Sequence, residues 1–253
     1  MTALRRALHA ESLKLRGTLA LWMCLIAPAT VVALYVLQVS FSEFGMRTGG
    51  DPAKAWFAFS QSILVLWLLL MLPLFITLQS ALLAGLEHGE CQWKHLLALP
   101  VPRSVHYLAK LIMLAAMVFA SFALLALLIP LGGLVLMWVK PSFGLAGAPD
   151  WTRLAMLTGA GFVASLLVVA LQNWIAIRWR SFTVAVSVGM SATVMGFLIG
   201  QSNRFGHWYP WSMPMQVLAG EGEHLVFVML AGLLGGIVVA GLGLVEFLRR
   251  EFS

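Results

Sequence analysis

Five side chains of one short stretch, Glu87, His88, Glu90, Cys91 and His95, are of metal-ligating type, and the His, Cys and His spacings of three and four residues put them near one helical face. The second Cys or His pair of a structural zinc site is missing, so no metal is expected. Gly189-Met190-Ser191-Ala192 has the small-residue character of an intramembrane serine nucleophile, but no histidine falls inside a predicted span to act as its base. Small residues there predict close helix packing instead. The sequence contains no HExxH, no Gly-x-Ser-x-Gly and no GxxxxGK[ST] phosphate loop. No catalytic residue and no cofactor of the chain's own is therefore assigned, and any uphill work requires energy from a partner.

The elements that position these residues follow from composition. Of 253 residues, 61% are hydrophobic and 10% charged, against about 25% charged in soluble domains. A soluble globular enzyme is excluded. Cys24 and Cys91 are too far apart for a disulfide framework and leave the redox compartment open. The net charge of +6 is scattered in ones and twos rather than gathered in a stripe, which argues against nucleic acid.

Six charge-free intervals, 17–42, 55–86, 111–139, 154–177, 181–203 and 224–245, each supply the roughly 20 helical residues that a bilayer core requires. The reading is an all-α integral membrane protein, one six-span domain over 1–253. The first interval is too long for a cleavable signal peptide and is expected to remain a span. With an even number of spans both termini share a side. That side carries eleven of the sixteen Lys and Arg residues, while acidic residues split five and five, so it is predicted to be cytoplasmic. No carboxylate, Lys or Arg falls in the middle of a span, which argues against an ion-coupled carrier. The outer segments 43–54 and 140–151 read as plain connectors.

Three other segments carry more. Residues 1–17 form a predicted interfacial helix with Leu4, Ala7, Leu8 and Leu15 on one face and Arg5, His9 and Arg16 on the other. It is either a simple positive-inside anchor or a docking element. Glu11 projects from its apolar stripe and should seek a partner protein or a cation, with Lys14 one turn away. In the loop 87–103, Trp93, Leu96, Leu97 and Pro100 make an apolar ridge at i, i+3, i+4 and i+7. Glu87 and Glu90 would be repelled by an anionic leaflet, which favours a groove on another protein over headgroups. The outer segment 201–223 holds His207-Trp208-Tyr209-Pro210-Trp211-Ser212-Met213-Pro214. It reads as an aromatic belt, or as a re-entrant segment in which Trp208, Tyr209 and Trp211 gate or line an exit for an amphipathic substrate.

Together these features resemble the type-2 ABC exporter permease family. Leu8 to Arg16 is similar to that family's opening pattern of Glu, an apolar pair and Lys. Glu87 to Arg103, with Lys110 following, looks like its coupling-helix region, an acidic residue and Gly preceding a Leu-Leu-x-x-Pro-x-x-Arg run. Pro102 departs from the usual Ser or Thr. Tyr209 to Pro214 resembles the lantibiotic-protection and bacitracin-resistance branch. The resemblance implies a permease subunit in a bacterial inner membrane that pairs with a second, identical or similar, subunit. It also implies a separate ATPase holding ATP and Mg, which the chain would engage through Glu87, Gly89, Glu90, Trp93, Leu96, Leu97, Pro100 and Arg103. Glu87 and Glu90 would pair with basic groups of the ATPase or cap the coupling helix, and Arg103 and Lys110 would hold phosphates at the inner leaflet. The expected function is export of an amphipathic compound such as an antimicrobial peptide, drug or lipid-like molecule. A non-transporting anchor or assembly factor using the same docking helix is the alternative, and an integral membrane enzyme a third.

Overall fold

A computed structural model describes residues 3–42, 51–88, 102–179, 181–202, 204–219 and 224–249, with side chains of the second span described as far as Gly85. These residues form helices α1 (Ala3–Leu15), α2 (Leu19–Phe41), α3 (Pro52–Leu66), α4 (Leu72–His88), α5 (Arg103–Val139), α6 (Trp151–Arg178), α7 (Phe182–Gly200), the short α8 (Met213–Gln216) and α9 (Leu225–Arg249). No strand occurs among them.

Six helices are long and apolar enough to cross a membrane, α3 and α4 counting as one continuous span, Pro52–Gly85. They coincide with the six charge-free intervals to within about four residues at each end, apart from one longer extension. α5 starts at Arg103, eight residues before its interval, so His106 lies inside a spanning helix, contrary to expectation. At 37 residues and 1.5 Å per residue, α5 is about 55 Å long, well beyond a bilayer core of about 30 Å.

The solvent logic is inverted. Leu25, Leu34, Val194, Leu198, Ile237 and Leu242 point outward, while Thr77, Gln79, Ser121, Ser165, Gln172 and Asn173 are buried. Lipid-facing helices gain nothing by hiding apolar groups, so packing and interhelical hydrogen bonds hold them together. Gln79 donates to the carbonyl of Ala20 at 2.7 Å and Gln172 to that of Ala185 at 2.8 Å, tying α4 to α2 and α6 to α7. Several buried hydroxyls return their protons to their own helices, as Thr158 does to Leu154 and Ser165 to Phe162.

Between α3 and α4 one wide π turn, Trp67–Met71, interrupts the span. Just beyond it stands Pro73, which has no amide proton and whose ring would crowd the carbonyl four residues back, a clash that a wider turn relieves. Trp67 is fully buried there, edge-on to Phe122 at 6.0 Å and tilted on Phe75 at 6.1 Å. Small residues let the helices approach. On α9, a Cβ at Gly232 would stand 2.5 Å from the Val163 carbonyl, and one at Gly236 would stand 3.1 Å from the Leu166 backbone of α6.

Residues 43–50 of the first outer segment lie outside the described residues; the second, 140–151, is more than a plain connector. Lys140 donates to the carbonyls of Val39 and Ser42, satisfying the end of α2 with a positive charge at its negative pole. Phe143 and Leu145 are buried, and the Trp56 indole donates to the Ala146 carbonyl at 3.2 Å. The reason is that Gly144, at φ 88°, and Gly147, at φ 69°, let the loop turn back onto α3.

Candidate functional site

At the end of the bundle carrying α1, three elements meet on charged side chains. α1 turns its apolar face inward: Leu15 and Glu11 are buried, while Arg5, Arg6, His9 and Arg16 face outward. The buried Glu11 carboxylate receives the Lys14 ammonium at 3.0 Å and lies 3.6 Å from that of Lys110 on α5. Lys110 is only 2% exposed and also donates to the Leu83 carbonyl of α4 at 3.0 Å. Burial raises the Glu11 carboxyl's proton affinity, but Lys110 and Lys14 outweigh it and hold the group below its ordinary value of 4.5. The side chains thus join α1, the end of the second span and the start of the third.

Glu11 therefore finds both the neighbour on its own helix and a second cation that sequence reasoning placed elsewhere. The assignment of Lys110 to headgroup phosphates is corrected: its ammonium points into the protein, because docking of α1 offers it a carboxylate and the end of α4 a carbonyl. Arg103, the first residue of α5, is exposed. Glu87 lies in the last turn of α4 rather than at the start of a separate helix. Gly89, Glu90, Trp93, Leu96, Leu97 and Pro100, like Cys91 and His95, lie outside the described residues. Leu83 and Lys110 bracket that loop, so the charged joint stands at both of its roots.

A second charged clamp at this end was missed. Glu246 of α9 pairs with Arg178 of α6 and accepts the indole proton of Trp174 at 2.7 Å. The available signal was one carboxylate near the end of the last span with Arg178 ending the fourth.

At the opposite end, residues 204–219 fold back along α7. The Tyr209 hydroxyl donates to the Ala192 carbonyl at 3.1 Å, and Gln216 donates to that of Gly200 at 3.0 Å. Ala192 is eight residues before Gly200, about 12 Å along the helix axis. Trp211 is buried against Gly196, so it is no exposed exit residue, whereas Trp208 is 62% exposed. His207 stacks on His224 at 4.4 Å and Trp208 packs edge-on to Phe227 at 4.9 Å, fixing this segment to the start of α9. Among the described residues no three His, Cys, Asp or Glu side chains form a group able to hold a metal.

Comparison with known proteins adds one result. No curated protein and no solved structure matches the chain. A family model described as ABC-2 family transporter protein matches residues 7–198, a stretch that includes α1 from Ala7 onward, the loop 87–103 and Lys110 but stops before the aromatic segment. The match covers most of the chain and fits a bundle of six apolar spans: the chain belongs to the ABC-2 transporter family, the type-2 ABC permeases, whose ATPase is a separate protein.

Proposed function

We propose that this chain is the permease subunit of an ATP-driven exporter for an amphipathic or hydrophobic compound, with α1 and both termini on the cytoplasmic side of a bacterial inner membrane. The observation that carries the reading is the buried Glu11–Lys110–Leu83 joint. It makes α1, α4 and α5 one mechanical unit around the loop 87–103, so a push on that loop is delivered to two spans together. Trp93, Leu96 and Leu97 are the docking ridge for the ATPase, with Trp93 the dominant anchor because a buried indole supplies the most contact area. Pro100 ends the ridge, and Glu87, Glu90 and Arg103 provide the flanking charges around Gly89. ATP and Mg bind in that partner. A second copy of the chain, or a similar protomer, completes the path and covers part of the outward apolar face.

The spans' middles, among the described residues, hold no carboxylate or ammonium. This suits a substrate moved by partner-driven rearrangement rather than by ion coupling. The aromatic segment supports an amphipathic cargo, with Trp208 and Tyr209 at the outer opening.

The test is a mild-detergent pull-down of tagged chain from its host, followed by nucleotide hydrolysis. A stoichiometric subunit with a phosphate-binding loop, lost on Trp93→Ala while the chain still inserts, is the expected result. A chain that emerges alone after crosslinking in cells overturns the reading. Substrate-stimulated hydrolysis separates a transporter from a non-transporting anchor.

A further inference from the structure

The aromatic end holds a cleft that the transport reading does not use. Its walls are Phe57 and Gln61 of α3, Arg153, Met156 and Leu157 of α6, Val217 and Leu218 of the folded-back segment, and Leu225 at the start of α9, enclosing about 610 Å³. That volume lies in the usual range for a ligand of drug or lipid-headgroup size. Six of these eight residues are apolar, one is a neutral amide, and one is a cation.

The cation is held in place. The Arg153 guanidinium lies over the Phe57 ring, its central carbon 3.7 Å from the ring centroid. Stacking occupies the flat face of a guanidinium and leaves its in-plane N–H donors free to meet an oxyanion two at a time. The Asp150 carboxylate is engaged at the start of α6, where it accepts the backbone amide of Arg153 at 3.0 Å. Asp150 lines a neighbouring cavity of about 250 Å³, which shares Phe57, Arg153 and Leu157 with the larger cleft, but it does not line the larger cleft itself. Charge and lining together specify a molecule with an oxyanion at one end and hydrocarbon at the other.

We propose that this cleft seats an anionic amphiphile, its phosphate or carboxylate headgroup on Arg153 and Gln61 and its chain along Met156, Leu157, Leu218 and Leu225. The site lies within one protomer. It is independent of whether an ATPase drives transport, since binding can be read on the chain alone.

The test is native mass spectrometry of the detergent-purified full chain with dioleoyl phosphatidylglycerol, with phosphatidylcholine of the same chains, with dodecyltrimethylammonium and with inorganic phosphate. Phosphatidylglycerol should be retained over phosphatidylcholine, and Arg153→Gln should reduce that preference about tenfold, the scale of a lost charge-assisted hydrogen bond. Arg204→Gln, at the same end and 5.4 Å over Phe205, should leave the preference unchanged. Leu225→Trp, which narrows the cleft and keeps the charge, should also reduce retention, so the outcome does not rest on one variant. Equal retention by Arg153→Gln, or equal loss in Arg204→Gln, would show nonspecific surface lipid and overturn the site. Preference for the cationic amphiphile would overturn the charge assignment; Glu221 and Glu223, which follow Leu218 in sequence, lie outside the described residues. Displacement of the lipid by equimolar inorganic phosphate would overturn the amphiphile form of the proposal.

Discussion

Glu11 and Lys110 form a buried ion pair between α1 and the third span, 3.6 Å apart, one from the helix that precedes the bundle and one from the start of its longest helix. Neither charge reaches water easily. The pair is costly to build in low dielectric and costlier to break, because removing one partner strands the other. The Leu83 carbonyl, also on Lys110, makes the arrangement three-sided.

Glu11→Ala should therefore destabilise the purified chain by about 3–5 kcal/mol, the usual cost of an uncompensated buried charge. Lys110→Met should cost less, since Lys14 still pairs with Glu11. Thermal melts of both single variants and the double variant check this. The double should fall well short of the sum, because the two residues share one interaction.

The joint's pH dependence has a definite sign. The Glu11 carboxyl is held below its ordinary value of 4.5 in the folded protein, so its contribution is complete above that value and is lost as pH falls through the lower folded one. Wild-type melting should show no change from this group between neutrality and pH 5.5, and a loss at more acid pH. Glu11→Gln should lack that acid step.

Along the α6–α9 seam, Gly232→Leu should disrupt packing, because even a Cβ there would sit 2.5 Å from the Val163 carbonyl and 2.6 Å from the Ala164 Cα. Gly241→Ala, with nothing within 4 Å of the added carbon, should be neutral or slightly stabilising through helix propensity. Expression level and melting temperature of the two variants separate these outcomes.

In the aromatic segment, cysteine placed at Trp208 should react with a membrane-impermeant maleimide, and cysteine at Trp211 should be at least about tenfold slower, given exposures of 62% and 8%. Equal rates would mean that the segment does not stay folded against α7.

Lys140 predicts a smaller effect at the same end. Lys140→Met should remove the donor to Val39 and Ser42 and cost about 1–3 kcal/mol. Hydrogen exchange should increase in the last turn of α2 and stay unchanged in α7.

The spans were legible because a bilayer imposes a minimum length, and charge interrupts that length visibly: Arg16, Lys54 and Arg178 each fall near the edge of an apolar run. Glu11 was legible as a carboxylate on an apolar face in need of a cation. The direction of Lys110 was not, because a long aliphatic stem serves equally to lift an ammonium to headgroups or to turn it inward. Only the docking of α1 decides between them. The outer loop 140–151 was misread because its Gly and Pro content signals turns, while the burial of Phe143 and Leu145 depends on where those turns point. In the aromatic run, residue type could not separate Trp208 from Trp211, which differ in their tertiary neighbours.

The wide turn at Trp67–Met71 sets the rotational phase of the second span. One additional residue per turn advances everything after it by about 100°, so the inward positions of α3 and α4 do not share one continuous helical stripe. From Met71 to Gly85 no side chain of this span is exposed, so α4 is packed against protein on every side and Thr77 and Gln79 are buried among its neighbours. Shortening the turn by a single residue would regularise the hydrogen-bond ladder and, in the same stroke, turn the Gln79 amide away from the Ala20 carbonyl. The local irregularity acts as a phase shifter between α3 and α4.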